Sequence, residues 1–258
     1  MVLSGAGLST ESGIPDYRGP SSKRRTRGPI RFQEFISSAH TRQRYWARSA
    51  IGWSQVGRAA ANLGHIAIAR LEELGYVNGV VTQNVDGLHH GAGSKEIIEL
   101  HGALRRVVCL DCGGTESRDN LQERMIALNP GWLELGAQSL PDGDAELPSD
   151  VAERFTVPVC LRCAGVLKPD VVFFGENVPK DRVRGAFEML AASDALFVVG
   201  SSLTVFSGFR FVRQAAADGK PVGIVNIGAT RGDELATVRV EAQLGTVLPE
   251  LVERLQPA

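Results

Sequence analysis

The sequence lacks the features that mark membrane, secreted and nucleic-acid-binding proteins. Its 258 residues contain no apolar stretch that approaches the roughly 20 residues needed to cross a bilayer, and no signal-peptide pattern follows Met1. The 28 basic and 29 acidic residues leave a net charge of -1, so no general field attracts nucleic acid or an anionic membrane. Internal repeats and low-complexity tracts are also absent. We therefore expect a cytoplasmic protein, or a mitochondrial matrix protein if the source is eukaryotic, with no membrane and no sequence-specific nucleic acid among its partners.

Cysteine is scarce, and its placement is specific. The four cysteines form two Cys-x-x-Cys pairs, Cys109 with Cys112 and Cys160 with Cys163, and none is left over. In an intracellular chain this favours metal binding over disulfides. Two such pairs form a closed tetrahedral zinc site, which is structural because no coordination position remains for a substrate. A thioredoxin-like redox pair is the alternative for either half, but the occurrence of two pairs without any other cysteine disfavours it. The polar segment 129–150 between the pairs is expected to loop out.

A third glycine is missing from the amino-terminal glycine turn. The apolar residues Val2 to Ser4 run into Gly5-Ala6-Gly7-Leu8-Ser9-Thr10, where Thr10 replaces the last glycine of the dinucleotide-binding fingerprint. The acidic residue expected about 20 positions later is replaced by the basic run 23–27. The turn still predicts a close backbone approach to a pyrophosphate and a helix start. The two departures argue against an ordinary dehydrogenase.

Polar residues follow an apolar strand in the central region. Val77 to Thr82 is predicted as a buried parallel strand, so Gln83, Asn84 and Asp86 lie at its carboxyl end, where open α/β sheets bind ligands. A tight Asn-Asp-Gly turn is the alternative explanation. That turn accounts for Asn84 and Asp86 but not for Gln83.

A histidine ends the next apolar run. His101 follows Ile97 to Leu100 and precedes Gly102, a place where an imidazole can face a cleft and titrate near neutral pH. The alternative is a hydrogen-bonded core histidine, which is the commoner state of a lone histidine beside an apolar run. The context of the other strand ends has to decide between the two.

Later segments alternate between strands and helices. Strands are predicted at 167–176, 195–199 and 221–225, and helices at 181–192, 207–217 and 244–251. Two of these strands end in small or polar residues, Gly200-Ser201-Ser202 and Asn226-Ile227-Gly228. The alternation predicts a parallel sheet with crossover helices. The strand ends then meet at one edge, which we interpret as a cofactor cleft.

Two segments allow both a plain and a functional interpretation. The loop Gly13 to Gly19 either folds over a bound ligand or is a surface turn. In the predicted helical region 31–75, Tyr45 and Arg48 are three residues apart and share one helix face. They are either a core aromatic beside a solvated arginine or a hydroxyl and a guanidinium that together bind a ligand carboxylate.

With these motifs in place, the chain resembles the sirtuins, the NAD-dependent protein lysine deacylases, over essentially its whole length. The matching motifs occur in the family's order and approximate spacing: Gly5 to Ser9, Gly13 to Arg18, Thr82 to His89, His101-Gly102, the four cysteines, Phe174-Gly175-Glu176, Gly200 to Ser202 and Asn226. Tyr17, the helix Arg44 to Arg48 and the long loop between the cysteine pairs are most similar to the class II, mitochondrial sirtuin-4-like branch and its bacterial relatives.

The resemblance implies an α/β fold: a Rossmann-like parallel sheet with flanking helices, a small four-cysteine zinc-binding module and a helical insertion. The NAD-binding domain would comprise residues 1–104 and 168–258, with the insertion at about 30–62, and the zinc module would comprise residues 105–167. The resemblance further implies NAD as cosubstrate and zinc as a structural ion. We expect a monomer that acts on acyl-lysine proteins or peptides.

The resemblance also implies roles for individual residues. The NAD-binding residues would be Gly5, Ala6, Gly7, Ser9, Thr10, Ile14, Asp16, Tyr17, Arg18, Gln83, Asn84, Val85, Asp86, Gly200, Ser201, Ser202, Asn226, Ile227, Gly228 and Leu244. His101 would be the general base, and Asn84 would also be catalytic. The substrate peptide would pair, as an added strand, with Val172, Phe173, Phe174, Gly175 and Glu176. Tyr45 and Arg48 would bind the carboxylate of an acidic acyl group such as glutaryl or succinyl.

Three other functions stay open from the sequence. The same chemistry with a different acceptor would make the protein a mono-ADP-ribosyltransferase. A non-enzymatic module that binds NAD or ADP-ribose would keep the glycine turns but would not need His101. A zinc-ribbon nucleic-acid binder would need a basic, aromatic-studded face, and the acidic loop beside the cysteines argues against it.

Overall fold

The computed structural model describes residues 1–16, 29–135, 147 and 149–256, so Tyr17 and Arg18 of the predicted NAD site lie outside the described residues. The strands are β1 (Val2–Ser4), β2 (Val80–Thr82), β3 (Ile97–Glu99), β4 (Gly102–Cys109), β5 (Thr115–Ser117), β6 (Leu167–Val171), β7 (Leu196–Val199), β8 (Val222–Val225) and β9 (Val238–Val240). The α-helices are α1 (Phe32–Ser37), α2 (Ala39–Val56), α3 (Leu63–Glu73), α4 (Leu88–Ala92), α5 (Arg118–Leu128), α6 (Ser149–Ala152), α7 (Lys180–Ala191), α8 (Phe206–Ala217) and α9 (Leu244–Leu255). Within the described ranges, none of the helices combines the length and the apolar composition that crossing a membrane requires.

The chain folds into two compact units. Unit 1 comprises Met1–Ser22, Ala59–His101 and Val178–Ala258, and unit 2 comprises Lys23–Arg58 and Gly102–Asn177. This division differs from the predicted one, which assigned the insertion at about 30–62 to the NAD-binding domain. The insertion belongs to unit 2 because its helix α2 hydrogen-bonds there: the Trp132 indole N–H donates to the Ala47 carbonyl oxygen at 2.8 Å, and the Arg118 guanidinium donates to the Ser49 carbonyl oxygen at 3.1 Å.

Unit 1 is built on a six-stranded parallel sheet with the order β3-β2-β1-β7-β8-β9. Counted within this unit alone, that is the 3-2-1-4-5-6 order of dinucleotide-binding folds. Val2 and Leu3 point to opposite faces of the sheet, and both are fully buried. One core cluster joins the sheet to α7 and α8, and another joins it to α3 and α9. The order reverses beside β1, which places a ligand crevice at the carboxyl ends of β1 and β7.

Unit 2 contains a three-stranded antiparallel sheet with the order β5-β4-β6. Its core combines Phe35, Tyr45 and Trp46 of the insertion with Cys109 and Cys160 of the two cysteine pairs. The insertion and the cysteine module therefore share one hydrophobic core, which explains why they fold as one unit.

Two predicted strands are shorter than the apolar runs suggested. β2 begins at Val80 and not at Val77, because the Val77 N–H instead donates to the Leu71 carbonyl oxygen at the end of α3, at 3.2 Å. β6 ends at Val171, and the residues after it turn: the Glu176 N–H donates to the Phe173 carbonyl oxygen at 3.0 Å. A run of apolar residues indicates that a segment is buried, but the hydrogen bonds of the neighbouring elements decide where the strand begins and ends.

Candidate functional site

Glycine holds the carboxyl ends of β1 and β7 together. The Gly7 N–H donates to the Gly200 carbonyl oxygen at 2.8 Å, and the Gly5 N–H donates to the Val199 carbonyl oxygen at 3.1 Å. A β-carbon on Gly5 would lie 2.7 Å from the Gly200 carbonyl oxygen, and one on Gly7 would lie 2.9 Å from it. Both glycines are therefore required by the contact between two backbones, whichever ligand binds there.

We expect Gly5→Ala to lower the free energy of unfolding by about 1–3 kcal/mol, the usual cost of overpacking. The added methyl group would meet the backbone of residue 200, which cannot move away without disturbing the pairing of β1 with β7. Urea unfolding measures the change. Gly91→Ala is the matched control, because a β-carbon there meets nothing within 4 Å and the residue lies inside α4. Equal stability of the two variants would contradict this explanation of the glycine turn.

The glycine turn continues into a 3-10 helix, Ala6–Ser12, where the sequence predicted an ordinary helix start. The helix carries Ala6, Ser9 and Thr10, and the Thr10 hydroxyl donates to the Gly7 carbonyl oxygen at 2.9 Å. Ile14 and Asp16 follow it and are buried. The structure thus places the described residues of the predicted pyrophosphate loop in one continuous turn.

The polar residues after β2 lie against this turn. The Asn84 side-chain amide donates to the Gly5 carbonyl oxygen and to the Ser9 hydroxyl, both at 3.0 Å. The Ser9 hydroxyl in turn donates to a carboxylate oxygen of Asp86 at 2.8 Å. Val85 lies half-buried between Asn84 and Asp86. A local Asn-Asp-Gly turn alone does not explain these contacts with a segment more than 70 residues away, so the sequence alternative of a plain turn is insufficient.

The carboxyl group of Asp86 is shielded from water by the surrounding protein. Burial raises its pKa, while hydrogen bonds from the Leu88 N–H and the Ser9 hydroxyl oppose that rise by stabilising the carboxylate. Such a group can donate when protonated and accept when ionised, and a carboxamide ligand offers partners for both states.

Gln83 connects β2 to the end of β7. Its side-chain amide donates to the Ser201 hydroxyl at 2.8 Å, and Ser201 is buried. Ser202 is half-buried beside it. The predicted ends of two strands therefore meet through side chains, as the interpretation of a single cleft edge required.

His101 is held at both ring nitrogens. Nδ1 lies 2.9 Å from the Gln83 carbonyl oxygen, and Nε2 lies 2.7 Å from the Ser207 hydroxyl oxygen. A carbonyl oxygen only accepts, so Nδ1 carries the proton and Nε2 carries the lone pair. The pKa of His101 is lowered to about 4, mainly by burial and also by the charges of Arg182 and Arg210. The hydrogen bond to the Gln83 carbonyl oxygen acts in the opposite direction. The imidazole is therefore neutral at pH 7 and can act as a base.

The remaining predicted NAD-binding residues lie after β8 and at the start of α9. The Asn226 side-chain amide donates to the carbonyl oxygens of Ile227 and Gly228 at 2.9 and 3.0 Å. Leu244 is buried at the start of α9, and a β-carbon on Gly200 would lie 2.9 Å from its Cδ1 atom. Since β8 is parallel to β7, these residues lie on the same sheet edge as the glycine turn.

Two buried histidines, which the sequence analysis did not single out, connect to Asn84. The rings of His65 and His89 pack with their centroids 5.0 Å apart. His89 Nε2 lies 2.8 Å from the Ser4 hydroxyl, which donates to the Thr82 hydroxyl at 2.8 Å. The Thr82 hydroxyl oxygen accepts the Asn84 backbone N–H at 3.1 Å. Burial lowers the pKa of His65 to about 4 and that of His89 to about 3, so both rings are neutral in the folded protein.

These lowered pKa values predict a loss of stability in acid. Above pH 6.5 the two rings are neutral in both folded and unfolded chains. As the pH falls below 6.5, the unfolded chain takes up protons that the folded protein refuses until about pH 4 for His65 and about pH 3 for His89. Between pH 7.5 and pH 5 we expect each ring to lower the free energy of unfolding by about 2 kcal/mol.

Urea unfolding at the two pH values measures this loss. His89→Gln should remove about 2 kcal/mol of the loss between pH 7.5 and pH 5, to which His101 contributes as well because its pKa is also lowered. The wild-type protein is the reference, since His89→Gln differs from it only in the buried ring. The interpretation fails if His89→Gln and the wild-type protein have the same pH dependence.

A buried lysine organises the predicted substrate segment, Val172 to Glu176. The Glu176 carboxylate accepts the Phe173 N–H at 2.8 Å and lies 3.0 Å from the Lys168 ammonium. Lys168 is only 4% exposed, and its ammonium lies 4.8 Å from the Phe173 ring centroid. Gly175 has a φ of 81°, which permits the turn. Sequence reasoning missed Lys168, because a lysine inside an apolar strand carries no pattern of its own.

The same segment pairs with the start of the insertion. The Phe32 N–H donates to the Phe174 carbonyl oxygen at 3.0 Å, and Arg31 and Phe174 form a parallel bridge. The segment follows β6, an edge strand of the unit 2 sheet. The segment is thus anchored within unit 2 through the Phe174 carbonyl oxygen and through the Glu176 carboxylate.

Tyr45 and Arg48 lie on α2, as predicted. Tyr45 is 6% exposed, and its ring centroid lies 5.5 Å from that of Phe35 and 5.3 Å from that of Phe173. Arg48 is half-buried on the same helix. The Tyr45 ring is therefore a core residue, as the plain interpretation held, and it also contacts Phe173 of the predicted substrate segment.

The four cysteines form one cluster within unit 2. The Sγ atoms of Cys109 and Cys163 lie 3.6 Å apart, those of Cys112 and Cys160 lie 3.7 Å apart, and all four lie within 4.8 Å of one another. A tetrahedral zinc ion with Zn–S bonds of about 2.3 Å requires Sγ separations of about 3.8 Å. The Arg162 N–H donates to the Cys160 sulfur at 3.4 Å, a contact that favours the thiolate that binds metal. The donor set fits a structural zinc ion, as predicted.

Comparison with known proteins agrees with this geometry. The family model described as Sir2 family matches residues 5–207. The chain is 52% identical over 255 residues to NAD-dependent protein deacetylase 1 of Streptomyces coelicolor, which covers 99% of this chain and 85% of that protein. It is 51% identical over 261 residues to NAD-dependent protein deacetylase 1 of Mycobacterium avium, which covers 99% of this chain and 91% of that protein.

Solved structures give the same result for the fold. The structure described as "Sir2-p53 peptide-NAD+" has a TM-score of 0.79 and 31% sequence identity, and the match covers 98% of this chain and 91% of that chain. The structure described as "Sir2 bound to acetylated peptide" has a TM-score of 0.75 and 28% identity, with 98% and 91% covered. These matches confirm the predicted α/β fold with its parallel sheet, flanking helices and four-cysteine module. The small second sheet was not predicted. The chain belongs to the Sir2 family, the sirtuins.

Proposed function

We propose that this chain is an NAD-dependent protein lysine deacylase that transfers the acyl group of acyl-lysine to ADP-ribose and releases nicotinamide. The observation that carries the proposal is the neutral His101, whose Nδ1 is bonded to Gln83 next to the Asn84 and Asp86 cluster. The relatives named above, which are NAD-dependent protein deacetylases, support the same reaction class.

The site residues would divide the NAD molecule among them. Gly5, Ala6, Gly7 and Ser9 would hold the pyrophosphate. Gly200 to Ser202 and Asn226 to Gly228 would hold the phosphates and the adenosine ribose, and Leu244 would lie behind the adenine. Gln83 and Asn84 would bind the nicotinamide ribose, while Asp86 and the backbone of Val85 would bind the carboxamide. The side chains of Gln83, Asn84 and Asp86 all have hydrogen-bond partners within unit 1, so they would be positioned before the ligand arrives.

The base would act after nicotinamide has left. The acyl-lysine oxygen attacks the anomeric carbon of the ribose as nicotinamide departs, which requires no proton transfer from the protein. His101 Nε2 then accepts a proton from a ribose hydroxyl, so that the freed oxygen can attack the acyl carbon. The Gln83 carbonyl oxygen stabilises the imidazolium that forms, because it accepts the Nδ1 proton. The resulting intermediate expels the lysine amine, to which the imidazolium returns its proton, and water then hydrolyses the remaining cyclic species. The products are free lysine, nicotinamide and an acyl-ADP-ribose ester.

The substrate lysine would be delivered by an extended peptide. Val172 to Glu176 would pair with the peptide as an added strand. The ion pair of Glu176 with Lys168 supports this role, because it holds the segment in one defined shape. The four cysteines would hold a zinc ion that stabilises unit 2 and takes no part in the reaction.

A mass-spectrometric assay tests the proposal. The zinc-replete protein would be incubated with NAD and acetyl-, succinyl-, glutaryl- or methylglutaryl-lysine peptides. We expect free lysine peptide and acyl-ADP-ribose in equal amounts, and neither product without NAD. Transfer of labelled ADP-ribose to protein without deacylation would instead indicate a mono-ADP-ribosyltransferase. NAD binding without turnover of any peptide would indicate a binding module.

We further propose a preference for acidic acyl groups, such as glutaryl and succinyl, and a place in the class II, sirtuin-4-like branch. Tyr45 and Arg48 match the Tyr-x-x-Arg pair that binds the acyl carboxylate in the family's acidic-acyl enzymes. The contact of Tyr45 with Phe173 supports this role, because it links the pair to the proposed substrate segment.

Arg48→Met tests the acyl preference. We expect the ratio of kcat/KM for glutaryl-lysine over acetyl-lysine to fall by about tenfold or more, since a charge-assisted hydrogen bond contributes about 1.5–3 kcal/mol. Arg58→Met is the control, because Arg58 is exposed beyond the end of α2. An unchanged ratio in Arg48→Met would show that Arg48 does not read the acyl group.

A further inference from the structure

The first turn of α8 contacts His101 and also Gln83, whose carbonyl oxygen accepts a hydrogen bond from the His101 ring. The Ser207 hydroxyl oxygen lies 2.7 Å from His101 Nε2, and Ser207 is only 8% exposed. At the next residue, a β-carbon on Gly208 would lie 2.7 Å from Gln83 Cδ. The glycine therefore lets the helix approach the residue whose carbonyl oxygen accepts the His101 Nδ1 proton.

The direction of the Ser207 hydrogen bond follows from its surroundings. Nδ1 of His101 donates to a carbonyl oxygen, which leaves Nε2 of the neutral ring without a proton. The Ser207 hydroxyl must then donate to Nε2, since two acceptors cannot share a hydrogen bond. The lone pair that would serve as the base is thus occupied by a serine proton when no substrate is present.

We propose that Ser207 is a positioning residue for His101: its hydroxyl holds the ring in the Nδ1-protonated tautomer and keeps Nε2 unprotonated until the ribose hydroxyl takes its place. This inference rests on the proposed deacylase function. In the reaction, the Ser207 hydroxyl turns away with its own proton. The ribose O–H bond breaks, an Nε2–H bond forms, and the electron pair left on the ribose oxygen attacks the acyl carbon.

The electrostatic surroundings act in the same direction. A hydrogen bond to the lone pair stabilises the neutral ring and so opposes protonation. Arg182 of α7 and Arg210 of α8 are the charged groups that act on the ring, and both also oppose protonation. Loss of the hydroxyl removes the hydrogen bond and leaves the two arginines in place, so the ring would take up a proton at a higher pH than before.

Long-range ¹⁵N–¹H spectra of the substrate-free protein at pH 7.5 test the hydrogen bond directly. The His101 signals are assigned from their absence in His101→Ala. We expect the wild-type Nε2 signal to be that of an unprotonated, hydrogen-bonded nitrogen, and the Ser207→Ala signal to move towards an unprotonated nitrogen with no donor. Ser207→Thr, which keeps the hydroxyl, should restore the wild-type position. Because these spectra need no turnover, they decide on Ser207 even if the deacylase proposal fails.

Kinetics provide the second measurement. We expect Ser207→Ala to lower kcat for deacylation about fivefold, which corresponds to one hydrogen bond of about 1 kcal/mol. The acidic limb of the kcat profile should shift to higher pH, while exchange of labelled nicotinamide into NAD, which precedes the base, stays within about twofold. Ser94→Ala is the matched control, since Ser94 is a buried serine of unit 1 whose hydroxyl has no hydrogen-bond partner among the described residues.

The proposal is overturned if the Nε2 signal and the acidic limb of Ser207→Ala both match those of Ser94→Ala. If Ser207→Ala does not fold, Ser207→Thr and Ser207→Val are compared, because they add the same bulk and differ in the hydroxyl. Identical Nε2 signals and acidic limbs in those two variants would overturn the proposal equally.

Discussion

His101→Ala is expected to lower kcat for NAD-dependent deacylation by at least about 100-fold, the lower end of the usual contribution of a general base. The alanine cannot accept the ribose proton, and the Gln83 carbonyl oxygen that orients the base has no ring to hold. The residues that would bind NAD keep their mutual contacts, so NAD affinity should change little. Exchange of labelled nicotinamide into NAD should also persist, because nicotinamide leaves before the base acts. Mass spectrometry measures deacylation, and calorimetry measures NAD binding.

His90→Ala is the control for this variant. His90 lies on α4, its side chain is 45% exposed, and its Nε2 lies 3.2 Å from a Glu99 carboxylate oxygen. We expect its removal to leave kcat within about twofold, since His90 is not among the residues that would bind NAD or accept the proton. A His101→Ala protein that keeps more than a tenth of the wild-type rate would exclude His101 as the base. In that case the hydrogen bonds that leave Nε2 unprotonated would need an explanation other than proton transfer.

Removal of zinc is expected to have the largest effect on folding. Cys109 and Cys160 are buried in the same core cluster as Phe35, Tyr45 and Trp46, so loss of the metal site would open the core of unit 2. We expect about one zinc ion per chain, and a fall in Tm on the order of 10 °C or more in Cys160→Ser or after chelation. Metal analysis and thermal unfolding with and without a chelator measure both quantities.

The second cysteine pair contains a suitable control residue. Leu161 lies between Cys160 and Cys163 and is 79% exposed, so Leu161→Ser should keep the zinc content and the Tm. A zinc-free native protein whose Tm is indifferent to chelators would refute the structural role of the cluster. A protein with zinc and an unchanged Tm after its removal would show that the core of unit 2 is stable without the ion.

Much of the site was predictable because its residues stand at places that local chemistry marks. Gln83, Asn84 and Asp86 follow a run of apolar residues, and the parallel arrangement of such runs places their ends on one edge. The cysteine pairs were predictable for a similar reason, since a metal site needs two close thiolates from each of two segments. In both cases the short-range pattern already contains the chemical groups.

The residues that were missed act across long distances in the chain. Ser207 contacts His101 from 106 positions away, and nothing in its own helix distinguishes it from an ordinary serine in a first turn. The hydrogen-bonded series from His89 through Ser4 to Thr82 likewise joins three elements. Such contacts depend on which strands are neighbours, which the order of elements along the chain does not state.

The sequence by itself determined the alternation of strands and helices, the polar strand ends, the histidine after β3 and the zinc ligands, because each is a matter of residue type and short spacing. Only the tertiary structure decided that Gly5 and Gly7 are needed for contact with the backbone of residue 200, that Lys168 holds Glu176, and that the insertion folds with the cysteine pairs. It also decided which nitrogen of His101 carries the lone pair. That choice depends on a carbonyl oxygen and a hydroxyl brought to opposite sides of one ring, and only the packed chain places them there.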